Sequence, residues 1–179
     1  MTQSRLDLVL HPVRLRLIHA LQAAGGGLTT SELCERLPDL PKASLYRQVG
    51  KLMRGGVFEV ESERRVRGAV ERRYRISARG AAINLDEARA MTLEDHRRAF
   101  ATAMAVMITD FEAYLDGAAA DPVSDKVSYR QFPLWLDPAE RDALVADFTA
   151  LIMARAGNGP GGGRKPYRAS SIFFPAAEA

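Results

Sequence analysis

Between Pro12 and Ile76 the chain is written in four short blocks, and their order leaves few folds open. Three blocks carry apolar residues at helical spacing, and the fourth alternates. Glycine or proline separates them. None is long enough to be stable alone, so the four must share one core.

The first block is Pro12–Ala23, with Val13, Leu17, Ile18 and Leu21 on one face. Pro12 suits a first helical turn, where its missing N–H would have had no partner. Leu6, Leu8 and Leu10 precede it as a helical turn or an extended arm, and Gly25-Gly26-Gly27 ends it. Thr29-Thr30-Ser31-Glu32 opens a second helix with the signature of a capping box. Leu33 and Leu37 point inward, and Pro38 stops it. A third helix is predicted over Pro41–Arg54, closed by Gly55-Gly56. Its inward positions are Leu45, Val49 and Leu52, which leaves Lys42, Ser44, Tyr46, Arg47, Gln48 and Lys51 on other faces. Residues 57–76 alternate as two strands around a turn at Arg67-Gly68. Glu59, Glu61 and Glu63 on one strand can face Arg73 and Arg75 on the other.

From Ser77 the pattern changes. Thr92-Leu93-Glu94-Asp95 reads as an N-cap, and a long helix runs to about Leu115–Ala118. Its stripe is Phe100, Met104, Met107, Phe111 and Leu115, with Ala103 and Ile108 beside it. At ~1.5 Å per residue it spans nearly 40 Å, more than a small domain needs. Lys126–Leu136 reads as a strand that Pro133 weakens. Asp137-Pro138-Ala139-Glu140 starts a helix whose stripe, Leu144, Val145, Phe148, Leu151 and Ile152, is expected to be buried. Gly157–Gly163 is a loop, and Arg168–Pro175 reads as a last strand. The expected class is α+β. A mainly helical winged helix-turn-helix domain precedes a long helix and a small strand–helix–strand unit.

Charge divides the chain in the same place. Residues 1–80 hold 15 Lys+Arg and 8 Asp+Glu, net +7, whereas residues 81–179 hold 10 and 14, net −4. A basic half joined to an acidic half suggests that the first faces a polyanion. No apolar run approaches the ~20 residues of a membrane span. The N-terminus has no secretory pattern, so a cytoplasmic protein is expected.

Four blocks carry a resemblance. They are His11-Pro12-Val13-Arg14-Leu15-Arg16-Leu17; Leu28-Thr29-Thr30-Ser31-Glu32-Leu33; Ala43-Ser44-Leu45-Tyr46-Arg47-Gln48-Val49; and Arg64-Arg65-Val66-Arg67-Gly68-Ala69-Val70-Glu71-Arg72. In this order the chain resembles the ArsR-type winged helix-turn-helix repressors, and especially a bacterial branch of them. The resemblance implies a homodimer whose third helix enters the major groove of double-stranded DNA while the hairpin lies along the backbone.

The residue types suit that role. Arg47 can fork onto guanine O6/N7 and Gln48 can pair with adenine. Lys42, Ser44 and Lys51 suit phosphates. Tyr46 can stack on sugar–phosphate or simply pack. Arg64, Arg65, Arg67 and Arg72 can follow the backbone or reach a minor groove.

Metal sensing and catalysis are not expected. Metal-sensing relatives carry paired cysteines in the second helix of the motif. Here Glu32-Leu33-Cys34 matches the start, but Arg36 stands at the second sulfur position. One thiolate cannot build a thiolate-rich site. His11, His19 and His96 are too far apart in sequence for a local ligand pair. No HExxH, GxSxG or CxxC occurs. Asp110 with Glu112 lie on different sides of a helix, and Asp137 with Glu140 form a cap. The glycine-rich loop follows a helix, where a phosphate-binding loop would precede one, so no cofactor is implied.

The reading is therefore a sequence-specific DNA-binding regulator, by resemblance a repressor, acting as a homodimer on a palindromic operator. Residues 1–80 are the DNA-binding domain. Residues 81–179 are a dimerisation domain with room for a small-molecule effector. The Phe100, Met104, Met107, Phe111 and Leu115 stripe serves as dimer seam in preference to a ligand-cavity wall. The alternative is a winged-helix module for protein–protein contact.

Overall fold

The computed structural model describes residues 5–66, 68–78, 80 and 83–176. They form two compact units, Met1–Ala118 and Ala119–Ala179. The first contains α1 (Arg5–Val9), α2 (Pro12–Ala24), β1 (Leu28–Thr29), α3 (Thr30–Arg36) and α4 (Lys42–Arg54). It continues with β2 (Phe58–Val66), β3 (Ala69–Ile76), α5 (Leu85–Arg89) and α6 (Leu93–Leu115).

Local chemistry sets the boundaries. Pro12 occupies the first turn of α2, and Gly25, at φ 64°, ends it by donating its N–H to the Gln22 carbonyl. Thr29 and Glu32 make the anticipated capping box: the Glu32 N–H donates to Thr29 Oγ1 at 3.2 Å, and the Thr29 N–H donates to Glu32 Oε2 at 2.7 Å. The same reciprocal pairing opens α5 with Asn84 and Glu87, and α6 with Thr92 and Asp95. A cap of this kind is worth about 1 kcal/mol.

The core joins all four sequence blocks. Leu17, Ile18 and Leu21 of α2 meet Leu33 of α3, Leu45, Val49 and Leu52 of α4, and Val57 and Phe58 at the start of the hairpin. Leu8 and Val9 show that the leading leucines are a helical turn. A glycine at position 55 leaves room for this packing, since a Cβ there would lie 1.9 Å from Leu8 Cδ2 and the leucine would have to shift. The sheet has three antiparallel strands in the order β1-β3-β2. Leu28 and Thr29 of β1 lie opposite Tyr74 and Arg73. A two-residue strand has no readable period, so the sequence pattern did not reveal β1.

The first unit extends past residue 80 to include α6. This helix packs on α2. Val106 is buried, and Asp110, one turn on, approaches Arg16 Nε at 3.9 Å and His19 Nδ1 at 3.7 Å. Arg98 of α6 pairs with Asp7 of α1 at 3.6 Å.

The second unit corrects three expectations. Among its described residues the one regular element is α7 (Pro138–Ala156), opened by a capping box between Asp137 and Glu140. Lys126–Leu136 and Arg168–Pro175 form no strands. Pro133 removes a donor, and two strands do not make a stable sheet by themselves. The α7 stripe is not buried either: Val145, Phe148, Leu151 and Ile152 are exposed and Leu144 is half-buried. No described residue between 119 and 176 is buried. No helix among the described residues is long and apolar enough to cross a membrane.

Candidate nucleic-acid interface

Helix α4 carries the candidate reading residues on a rigid support. Leu45, Val49 and Leu52 fix one face in the core. Lys42, Tyr46 and Arg47 are exposed, and Ser44 and Lys51 are half-buried. The sequence pattern put Gln48 with them, and that placement is corrected. Gln48 is 4% exposed, and its Oε1 accepts from Arg14 Nη1 at 3.0 Å. A glutamine at this place on α4 falls on the edge of the apolar face, where Arg14 turns it inward.

Arg14 is the residue that sequence reasoning missed. It is buried on α2. Besides Gln48 it donates to the backbone carbonyls of Leu8 and Asp7, so one guanidinium joins α1, α2 and α4. Burial lowers its pKa from the ordinary arginine value, and the Asp7 carboxylate opposes that shift. A signal was available: Arg14 lies three before Leu17 and four before Ile18, on the apolar face of its helix. A second link reaches the turn before α4. Arg16 grips Asp39 with two nitrogens at 2.5 and 2.8 Å.

The distribution of unpaired cations is informative. Among the described residues, Lys42, Arg47, Lys51 and Arg54 on α4 have no acidic partner within ion-pair distance. His11 stands close by. Its pKa is lowered first by burial, then by Arg14, Lys51 and Arg47. Arg47, Lys51 and Arg54 fall within about 60° of one another on the side of α4 away from Leu45, Val49 and Leu52, so positive charge is left uncompensated there, with Lys42 at the first turn of the helix. A polyanion would neutralise it.

The wing is arranged differently. Strands β2 and β3 place Glu59 opposite Arg75, Glu63 opposite Arg72 and Arg64 opposite Glu71. Each pair closes, at 2.7, 2.7 and 2.6 Å respectively. Arg73 approaches Glu61 at 3.5 Å and Glu32 at 3.2 Å, tying the wing to the start of α3. Arg65 is the described wing arginine that has no acidic partner. Arg67 lies outside the described residues. Of the four expected wing contacts, Arg64 and Arg72 are therefore already engaged. Exposed pairs of this kind are worth only about 0–1 kcal/mol, so a phosphate can compete for them.

The expected dimer stripe sits on α6 away from α2. Taking Val106 as the packed direction, the stripe is centred about 140° around the helix at 3.6 residues per turn. Phe100 and Leu115 are exposed, and Met104, Met107 and Phe111 are half-buried. Phe111 stacks on Tyr114 with ring centroids 5.9 Å apart. Cys34 is half-buried on α3, beside Ser31, Glu35, Lys42 and Tyr46.

Comparison with known proteins agrees with this geometry over the N-terminal region. Residues 9–61, from the start of the core helices into the first wing strand, match the family model described as a helix-turn-helix domain. No curated protein matches the chain. The fold and the match together identify an N-terminal winged helix-turn-helix domain, of the kind that DNA-binding regulators carry.

Proposed function

We propose that the protein is a sequence-specific transcription regulator of the ArsR type, a cytoplasmic homodimer that binds a palindromic operator and represses. It has no catalytic role in this reading. The observation that carries it is the group of unpaired cations Arg47, Lys51 and Arg54 on one side of α4, with Lys42 at its first turn, on a helix whose opposite side is locked in the core. Arg47 is the base reader, and Lys42, Ser44 and Lys51 hold phosphates. Arg65 leads the wing contact, with Arg64, Arg67 and Arg72 joining as their carboxylates are exchanged for phosphate.

The α6 stripe of Phe100, Met104, Met107, Phe111 and Leu115 supports a dimer, because α2 leaves that side uncovered. A dimer also answers a quantitative need: each base pair read adds only ~1–3 kcal/mol, so a single half-site is not selective in a genome. A small-molecule effector would act on this same region.

Selection from a random DNA pool tests the reading. An enriched palindrome, with half-sites about one helical turn apart, is expected. Weak binding with no sequence enrichment would leave the protein–protein module in its place.

A further inference from the structure

The second unit has a composition that should fold and a structure without an interior. Its seven aromatic residues are Tyr129, Phe132, Trp135, Phe148, Tyr167, Phe173 and Phe174. Their exposure runs from 47% at Phe148 to 95% at Trp135. An aromatic side chain buries ~150–250 Å² when covered, so these seven leave on the order of 1,000 Å² open. That is at least the ~800 Å² each partner contributes to a standard stable interface.

The backbone is open as well. No backbone–backbone hydrogen bond among the described residues involves 130–136 or 169–176. These are the two stretches that read as strands in the sequence, apolar at Phe132, Leu134, Trp135 and Leu136 in the first and at Ile172, Phe173 and Phe174 in the second. Extended backbone with free donors and acceptors is a template for another strand.

We propose that these two segments form strands on a second copy of this chain, so that the 119–176 unit gains its core only in the dimer. The inference rests on the dimeric half of the function proposed above, and not on DNA binding. Three features select a second copy as the occupant. The open area meets what a stable dimer requires. The 119–176 stretch carries 7 basic and 6 acidic residues, so two copies meet without like-charge repulsion and no polyanion is favoured. An antiparallel pairing of one extended segment with its copy about a two-fold axis satisfies the facing edge of both copies at once.

Trp135 is the single tryptophan of the chain, which makes the intact protein its own probe. Light scattering and tryptophan emission are followed together through a dilution series, with iodide quenching at each step. The expected result is a mass of twice 19.6 kDa with a blue-shifted, iodide-shielded Trp135. Emission shifts red, and quenching rises, wherever dilution produces monomer. Gln131→Pro and Ser170→Pro each remove one backbone donor from a proposed strand. Both should weaken dimerisation at least tenfold, including where the parent holds together at every dilution, and leave the melting of the first unit unchanged. A monomer at every concentration overturns the proposal, as does a dimer with a quenchable Trp135. A Trp135 that stays shielded in the monomer overturns it too, as do proline variants that dimerise like the parent. A gel shift on the same samples reads DNA binding separately, so failure of either half of the reading is recognised for what it is.

Discussion

Arg14 Nη1 donates to Gln48 Oε1 across 3.0 Å inside the first unit, joining α4 to α2. The same guanidinium holds the carbonyls of Leu8 and Asp7, and the Asp7 carboxylate meets Arg98 of α6. Orientation of α4 is therefore set partly by a polar hub, in a core that is otherwise mostly apolar. Gln48→Leu should cost about 1–3 kcal/mol of stability, since it strands a buried donor. Base preference at the operator should stay as it was. Urea unfolding and binding to a panel of single-base operator variants check both halves. A changed preference with unchanged stability would make Gln48 a reader after all.

Arg47 has the opposite expectation. It is exposed, and no carboxylate holds it. Arg47→Ala should lose about 1–3 kcal/mol of specific binding and relax the preference at one base pair per half-site, with no change in melting temperature. Binding isotherms against the same panel measure it. A mutant that keeps both affinity and preference removes Arg47 from the readers.

For the wing, the ion pairs predict unequal effects among similar arginines. Arg65→Ala should flatten the slope of log K against log salt by roughly one unit, the signature of one lost phosphate contact. Arg72→Ala should do less, because binding through Arg72 must first release Glu63. Glu71→Gln frees Arg64 and should strengthen binding to all sequences alike. Salt titrations of the three variants against one duplex decide the order. Equal slopes throughout would show that the hairpin does not touch DNA.

Acid should loosen the start of α6. The Asp95 carboxyl is held down to about 2, first by the Thr92 hydroxyl and backbone N–H and then by Arg98. An unfolded aspartate titrates near 3.9. A depressed folded value gives stability that is complete above the unfolded value and disappears as pH falls toward the folded one. Asp95→Asn should therefore melt below the parent above about pH 4, and the gap should close by about pH 2. Glu32 is lowered by the Thr29 N–H and Asp39 by its bond to Arg16, so both push the whole domain the same way. A gap that is constant with pH would show that the Asp95 charge contributes nothing.

What could be read in advance was whatever the chain specifies locally. The Thr29–Glu32 box, the proline start of α2, the apolar face of α4 and the pairing of β2 with β3 are each set by residues close in the chain, and each was legible. Gln48 was misplaced because its direction depends on Arg14, 34 residues away. The β1 strand was missed because two residues carry no period. The strands expected at 126–136 and 168–175 had apolar residues to cover, but an apolar run supplies no neighbour to pair with.

The capping box at Asp137 and Glu140 has a consequence for how quickly the second unit can find its structure. Helix α7 contains no buried residue, yet its first turn is fully closed by its own side chains, with Pro138 already at a helical φ. Nucleating a helix is the slow, unfavourable step, because several dihedrals are fixed for the first hydrogen bond. Here that step is encoded within four residues and needs no tertiary contact. Whatever surface covers Val145, Phe148 and Ile152 meets a stripe that is already ordered, and less entropy remains to be lost on encounter.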